Sequence, residues 1–293
     1  MSAVNAMDVT IRTAAPADIE PCARIIHEAF TAIAEQHRFP PDFPTIDAAT
    51  ELATMFVNHP GIFGVVAEWE GRVVGSNFLD ERDPIRGLGP ITVDPQVQAR
   101  GVGRRLMRAA LERGRDAAGI RLLQDSFNTR SIALYASLGF DVREPILLLS
   151  GRPSGGPPRG VEVRRLAPED VTACAALCSR THGFERANEL ADALKLFAPV
   201  VALRGGRITA YASVPTFWPL NHGVAESEED MRALLLGAAA LTPEPLAFLL
   251  PTRQAGFFRW CLAQGFRVVK PMTLMTRGQY RQPEGCYFVS VLY

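Results

Sequence analysis

Short runs of alternating apolar and polar residues open the chain and predict β-strands. The first covers Val9–Arg12, and two β-branched runs, Phe63–Glu68 and Arg72–Phe78, meet at Glu70-Gly71, a dipeptide typical of a hairpin. A further run over Gly89–Val93 stops before an Asp-Pro pair. A helix is predicted after the first strand. A proline stands at its expected start and an aspartate follows soon after, which is typical of the first turn of a helix.

The apolar period changes to a helical one after this strand region. Gly103–Arg115 predicts a helix, Ile120–Gln124 a strand, Thr129–Leu138 a helix, and Phe140–Leu149 a final long strand or strand pair. The predicted order is β-α-α-β-β-β-α-β-α-β. This order predicts an α/β (α+β) fold in which a mixed, mostly antiparallel sheet is flanked by helices.

The second half of the sequence repeats the first, as expected for a duplicated domain. The matching blocks stay in order while their offset falls from 152 to 135 to 126: Val9–Arg12 with Val161–Arg164, Val66-Ala67 with Val201-Ala202, and Gly139-Phe140 with Gly265-Phe266. Between the halves, Gly151–Gly160 holds four glycines and three prolines. We therefore expect one domain over 1–150, a linker over 151–160 and a second domain over 161–293.

Composition excludes several classes of protein. The 293 residues carry 31 Lys and Arg against 31 Asp and Glu, which argues against binding nucleic acid through a global positive field. The longest apolar run, Ala233–Leu241, is nine residues, whereas a membrane-spanning helix needs roughly 20. Residues 1–16 lack the pattern of a signal peptide, so we expect a cytoplasmic protein with no membrane partner.

Five cysteines are too few and too scattered for a disulfide framework. Cys174 and Cys178 are four residues apart on a predicted helix, but no histidine or second cysteine pair lies near them. Buried thiols are therefore expected, because free cysteine packs as a small apolar residue. No metal site is predicted.

The strongest chemical signal is the segment Val93-Asp-Pro-Gln-Val-Gln-Ala-Arg-Gly-Val-Gly-Arg104. A strand ends at a proline, and a turn with glycines at 101 and 103 leads into a helix rich in arginine. Glycine lets the backbone approach a ligand, and the first N–H groups of a helix favour an anion such as a phosphate. The spacing excludes a dinucleotide fingerprint and a P-loop, since the third glycine and the Gly-Lys-Ser/Thr are missing.

A second motif follows at Asn128-x-x-Ser131-x-x-x-Tyr135-x-x-x-Gly139-Phe140. Together with Gln98-x-x-Gly101-x-Gly103, it resembles the GCN5-related N-acetyltransferase (GNAT) superfamily. The resemblance covers the first domain well and the second only as a degraded copy. It implies the acyl-CoA N-acyltransferase fold, duplicated in tandem, with acetyl-CoA as co-substrate.

The resemblance implies a role for each motif residue. Backbone N–H groups of Gln98, Ala99, Arg100, Gly101, Val102, Gly103 and Arg104 would hold the pyrophosphate, with Arg100 and Arg104 near phosphate. The strand at Ile91, Thr92 and Val93 would pair with the pantetheine arm, and an amide near Val93 would stabilise the oxyanion. Asn128 and Ser131 would contact the CoA arm. Tyr135 would be the general acid toward the departing thiolate, although its helical spacing also fits a core aromatic residue.

The general base remains open at this point. Many members of the superfamily carry a glutamate on the strand before the loop, but Gly87–Val93 has no carboxylate. The alternatives are Asp80, Glu81 and Asp83 after the preceding strand, His27 or His37, and the carboxylate of the last residue, Tyr293.

The second repeat departs from the motif at each functional point. Where the phosphate loop is expected, the chain has Glu226-Ser-Glu-Glu-Asp230, and the tyrosine position corresponds to Cys261. Four carboxylates would repel a pyrophosphate. We therefore predict that the second domain does not bind acetyl-CoA and instead shapes the acceptor pocket or covers a sheet edge.

These observations predict an N-acetyltransferase in which an amine attacks the thioester directly within a ternary complex. The acceptor is a small molecule or a peptide amine, and the protein is a monomer or a homodimer. A non-catalytic acyl-CoA sensor and an acyltransferase for longer acyl chains are the alternatives. Sequence does not distinguish the acceptor, the acyl-chain preference or the oligomeric state.

Overall fold

A computed structural model describes residues 8–292, which form two compact units. The first unit contains the described residues up to Glu81 together with Arg86–Ile120. The second contains Arg82–Ile85 and the described residues from Arg121 onward. Each unit is described by itself below.

The first unit is built on an antiparallel meander. Strand β2 lies between β1 and β3, and β3 also pairs with β4 and β5. The strands are β1 (Thr10–Thr13), β2 (Ile62–Trp69), β3 (Arg72–Asp80), β4 (Ile85–Leu88) and β5 (Thr92–Val93). The helices are α1 (Ile19–His37), α2 (Ile46–Asn58) and α3 (Val102–Arg113).

Alternation along the strands places α3 against one face of this meander. Val65 and Val74 from the strands pack with Val102 and Leu106 from α3 in one buried cluster. Gly75 permits the close approach of β5, because a Cβ at this position would lie 2.7 Å from the carbonyl oxygen of Thr92. The loop that begins α3 is therefore held at a fixed place beside the sheet.

The predicted hairpin is confirmed. Trp69 pairs with Arg72, and the two residues between them have positive φ angles of 50° at Glu70 and 75° at Gly71. Two positive φ angles in a two-residue loop match the right-handed twist of the flanking strands. The glycine supplies one of them without steric cost.

The prediction of one strand over Gly89–Val93 is wrong in part. Only Thr92–Val93 pairs with β3 in this stretch, and the separate strand Ile85–Leu88 precedes it, so Ile91 lies outside both strands. Between the two pairings the register shifts by one residue. The physical reason is local: Gly89 has a φ of 133°, and Pro90 has no N–H to donate to a ladder.

The second unit contains two sheets. One has the order β6-β13-β7-β12 and the other β14-β11-β10-β9-β8. The strands are β6 (Gly119–Asp125), β7 (Asp141–Gly151), β8 (Val161–Arg165), β9 (Val200–Arg204), β10 (Arg207–Ala212), β11 (Gly223–Ala225), β12 (Leu246–Pro251), β13 (Arg267–Gly278) and β14 (Cys286–Phe288). The helices are α4 (Thr129–Ala136), α5 (Val171–His182), α6 (Ala187–Leu196), α7 (Glu228–Leu241) and α8 (Ala255–Ala263).

The tandem duplication is visible in matching local structures. Arg12 holds Asp18 through two hydrogen bonds of 2.7 and 2.9 Å, and Arg164 holds Asp170 through two of 2.6 and 3.0 Å. Gly139 and Gly265 both have a φ of 86° and end corresponding helices, α4 and α8. The same backbone device therefore recurs at the offset that the sequence predicts.

The strands that follow the Gly-Phe pairs of the two repeats are exchanged. Strand β13 of the second repeat lies between β6 and β7 of the first, while β7 lies between β13 and β12. Strands β6 and β12 thus each pair with the strand that follows the Gly-Phe pair of the other repeat. Because of this exchange, the boundary between the compact units does not follow the Gly/Pro segment at 151–160, where Arg152–Gly160 contains no helix or strand.

Candidate active site

The loop before α3 is shaped by its own side chains. Asp94 is 2% exposed, and its carboxylate accepts a hydrogen bond of 2.9 Å from the backbone N–H of Gln96. Asp94 thereby caps the short 3-10 helix Pro95–Val97. The Gln98 amide donates to the carbonyl of Val93 at 3.2 Å. These contacts fix both ends of the segment that leads to the glycines.

The N-terminus of α3 is open to an anion. Gly101 is the N-cap residue with a φ of 87°, and a Cβ built on it would meet no atom within 4 Å. Ala99 also has a positive φ, 64°. The first intrahelical hydrogen bond joins Arg105 N to Gly101 O, so the amides before Arg105 precede the helical ladder. Such amides and the helix dipole favour an anion such as a phosphate.

The backbone of β5 presents one amide away from its partner strand. Asp94 N donates to Val74 O at 3.0 Å, and Thr92 O faces Gly75. Because consecutive residues of an antiparallel strand alternate in direction, the Val93 N–H points to the side opposite β3. Val93 therefore presents its backbone on the side where an added strand would pair, whereas the Thr92 carbonyl faces β3 and Ile91 lies outside the strand.

Helix α4 in the second unit carries the other motif. The side chain of Asn128 accepts a hydrogen bond of 3.2 Å from Ser131 N, so Asn128 is the N-cap of this helix. Tyr135 follows one turn after Ser131 and contacts Phe140, with ring centroids 6.3 Å apart. The motif thus has a local structural role in addition to any role toward a ligand.

Burial controls the acidity of Tyr135. The side chain is 5% exposed, and burial raises the pKa of its phenol to about 12, against the effect of a hydrogen bond from Ser131, while the charge of Asp125 raises it further. The phenol is therefore protonated at neutral pH. A protonated phenol is the form that a proton donor must have.

The carboxylate candidates for a base lie in different surroundings. Asp80 is 5% exposed at the end of β3, opposite Gly87. Glu81 is paired with Arg113 at 2.9 Å. In the second unit, Asp83 accepts hydrogen bonds from the backbone N–H groups of residues 188 and 189, at 3.2 and 3.1 Å, which is the capping arrangement of a helix start.

The other base candidates are placed as follows. The Nδ1 atom of His27 lies 3.0 Å from the carbonyl oxygen of Phe43, and His37 is the last residue of α1. Tyr293 lies outside the described residues.

The expectation of buried thiols is confirmed, since all five cysteines are free and buried: Cys22, Cys174, Cys178, Cys261 and Cys286.

In the second repeat, the chain's own side chains occupy the corresponding helix start. Ser227 caps α7 by accepting from Asp230 N at 3.1 Å, and its hydroxyl donates to the Asp230 carboxylate at 2.5 Å. Asp230 is also paired with Arg204 at 3.0 Å. Cys261 is fully buried, and burial raises the pKa of its thiol to about 12. Neither an open anion site nor a phenol exists at these positions.

Sequence reasoning missed two features of this region. The capping role of Asp94 was detectable, because an Asp-Pro pair is a typical start of a helical turn. The ion pair of Asp125 with Lys270, 2.6 Å long, was not detectable, because it depends on the exchange of β13.

Within residues 8–292, no helix is long and apolar enough to cross a membrane, and no cluster of potential metal ligands occurs.

Comparison with known sequences finds similarity over the part of the chain that carries both motifs. Residues 24–140 match the profile described as "Acetyltransferase (GNAT) family". Two curated relatives are named mycothiol acetyltransferase: one from Nocardia farcinica, 30% identical over 140 residues, and one from Thermomonospora curvata, 32% identical over 136. The matched region covers 45% of this chain in both cases, and 45% and 44% of those relatives. The similarity therefore spans about half the length of the relatives.

Solved structures match nearly the whole chain in fold. A putative acetyltransferase from Pyrococcus horikoshii has a TM-score of 0.76 at 18% identity, covering 97% of this chain and 94% of that one. A tandem GNAT protein from the clavulanic acid biosynthesis pathway has a TM-score of 0.61 at 14% identity, covering 92% and 98%. At these identities the likeness shows the fold.

Proposed function

We propose that the protein is an acetyl-CoA-dependent N-acetyltransferase, and the match of residues 24–140 to the acetyltransferase (GNAT) profile supports this. The observation that carries the proposal is the open helix start at Gly101, behind a loop fixed by Asp94 and Gln98. A buried, protonated Tyr135 supports it. When bound, acetyl-CoA supplies the acetyl group as an activated thioester.

In this proposal, different residues bind acetyl-CoA, orient it and donate the proton. Backbone amides from Gln98 to Arg104 bind the pyrophosphate, and the strand residues Thr92 and Val93 orient the pantetheine arm. The outward N–H of Val93 donates to the oxygen on which negative charge develops. Asn128 and Ser131 fix α4 and contact the CoA arm. Tyr135 holds the proton that is given to the departing sulfur.

The acceptor in this proposal is a primary amine of a small molecule or peptide that attacks the thioester directly. The names of two relatives make acceptors related to mycothiol a sensible part of any panel. The experiment is thiol-detected release of CoA across a panel of amines. We expect release that depends on both acetyl-CoA and an amine.

The control for this assay is Gly101→Val. A β-branched side chain at a φ of 87° is strained and covers the open helix start, so we expect neither CoA binding nor CoA release. Gly156→Val, in the Gly/Pro segment, is the matched change, because a Cβ at Gly156 also meets no atom within 4 Å. Binding of acetyl-CoA without amine-dependent release in the parent protein would instead support a non-catalytic sensor.

We also propose that only the first repeat binds acetyl-CoA. The start of α7 is capped by Ser227 and carries three carboxylates in its first turn, which repel a pyrophosphate. Isothermal titration calorimetry is expected to give one CoA per chain. A stoichiometry of two would contradict this proposal, as would a single site that survives Gly101→Val.

A further inference from the structure

The exchanged strand β13 contacts the residues that start the turn before α4. Lys270 Nζ lies 2.6 Å from Asp125 Oδ1. The backbone N–H of Ser126 donates to Pro271 O at 3.1 Å, and the hydroxyls of Ser126 and Thr273 are 2.7 Å apart. Three contacts from the second repeat therefore hold two consecutive residues of the first.

These two residues lead directly to the proposed acid. Asp125 is the last residue of β6, and its carbonyl accepts from Asn128 N at 2.9 Å. Asn128 in turn caps α4 through Ser131, and Tyr135 stands one turn further along this helix. A displacement of Asp125 would therefore be passed to Tyr135 through a short, continuous turn and helix.

The register of β13 against β7 changes on both sides of the segment that contains Lys270. Against β7, the pairing shifts by one residue between Val268 and Lys270, and it shifts back between Leu274 and Met275. A one-residue slip exchanges the two faces of a strand, and bulges commonly redirect a side chain. The two irregularities thus enclose the stretch that contains Lys270 and its neighbours in contact with β6.

Lys270 is buried at 2% exposure, with its ammonium 5.1 Å from the Trp218 ring centre. Burying a lysine is costly unless a counter-charge accompanies it, and Asp125 is that counter-charge. Burial is the main cause of the raised pKa of the Tyr135 phenol, and the charge of the same carboxylate raises this pKa further. The ammonium of Lys270 lies beside this carboxylate.

We propose that Lys270 is a positioning residue for Tyr135: its ammonium is the counter-charge that keeps the buried Asp125 carboxylate in place at the start of the α4 turn. The proposal rests on the general-acid role of Tyr135 given above. It assigns the second repeat a specific contribution to the reaction, made by its exchanged strand, although this repeat lacks the features of a CoA site.

The test is a set of variants measured by steady-state CoA release. Lys270→Met is expected to lower kcat roughly tenfold, within the range for coupled neighbours, and to leave the KM for acetyl-CoA within about threefold. In a Tyr135→Phe background, Lys270→Met is expected to have no further effect on kcat. Arg204→Met, which breaks an ion pair of the second repeat, is the control and should leave kcat unchanged.

A charge-neutral pair keeps the test valid if Lys270→Met alone folds poorly. Lys270→Met combined with Asp125→Asn removes both charges, and kcat is expected to return to within about threefold of the parent, because the uncompensated carboxylate is gone. The proposal is overturned if the double variant is as slow as Lys270→Met, or if Lys270→Met slows Tyr135→Phe further. Normal kcat in Lys270→Met beside a slow Tyr135→Phe would refute this inference and leave the proposed function intact.

Discussion

Replacing Tyr135 with phenylalanine is expected to lower kcat by about 10²–10³-fold while the affinity for acetyl-CoA changes less than about threefold. The substitution removes only the hydroxyl that would protonate the departing sulfur. The ring, which is buried and contacts Phe140, stays in place. Turnover by CoA release and affinity by calorimetry are measured on the same preparation.

Tyr211→Phe is the matched control. Tyr211 is also buried, at 1% exposure, but its hydroxyl lies 3.1 Å from His222 Nε2 in the second repeat. Loss of this hydroxyl is expected to leave kcat within about twofold, since no proposed contact with acetyl-CoA involves it. If Tyr135→Phe turned over as fast as the Tyr211 control, Tyr135 would not be the acid.

The pH dependence of kcat is a further test of the acid role of Tyr135. Burial raises the pKa of Tyr135 to about 12, so the phenol gains a preference for its protonated form and keeps its proton until the pH approaches that value. The expected consequence is that kcat of the parent protein shows no fall between pH 7 and about 10 caused by this group. A decline in that range that disappeared in Tyr135→Phe would contradict the shift.

Local patterns were sufficient to predict the repeating unit of this fold. The hairpin predicted at Glu70-Gly71 has positive φ angles of 50° and 75°, and glycine marks such a position in a sequence. The structure adds a corresponding hairpin at Gly205-Gly206, with φ angles of 58° and 77°. The Gly-Phe pairs at 139–140 and 265–266 were one of the blocks that revealed the repeat, and in the structure both follow corresponding helices. These features depend on a few adjacent residues.

The exchange of β7 and β13 could not be predicted in this way. Both strands follow a Gly-Phe pair and both are apolar, so each satisfies the pairing requirements of either β6 or β12. The choice between the partners depends on long-range packing, on which the period-two pattern carries no information. The ion pair of Lys270 with Asp125 was hidden for the same reason.

In the candidate site, too, features set by adjacent residues were predictable, and features set by strand pairing were not. The loop before α3 was predictable because glycine at 101 and the helix start are both local signals, and the structure shows the open helix start there. The interruption at Gly89-Pro90 was visible as residue types, but its effect on register depended on how β3 pairs with both β4 and β5. Ile91 was included in the strand because its side chain alone is typical of one.

A buried ion pair in the second unit ties the end of the chain to α6. Arg186 is 3% exposed, pairs with Glu189, and donates to Ser290 Oγ at 2.8 Å and to Leu292 O at 3.3 Å. Glu189 also faces His222, whose Nδ1 lies 3.6 Å away. Burial, and next the charge of Arg186, lower the pKa of His222 to about 4, so this histidine is neutral at pH 7 while Arg186 is present.

Arg186→Met is therefore expected to destabilise the second unit by about 3–5 kcal/mol, because it leaves the Glu189 carboxylate buried without its cation and releases the contacts to Ser290 and Leu292. Urea unfolding followed by circular dichroism measures the loss. The matched control is Arg281→Met in the same unit, because Arg281 and its partner Glu284 are 50% and 78% exposed, and its cost should be no more than about 1 kcal/mol. Equal unfolding midpoints for the two variants would show that the buried pair contributes no more than a surface one.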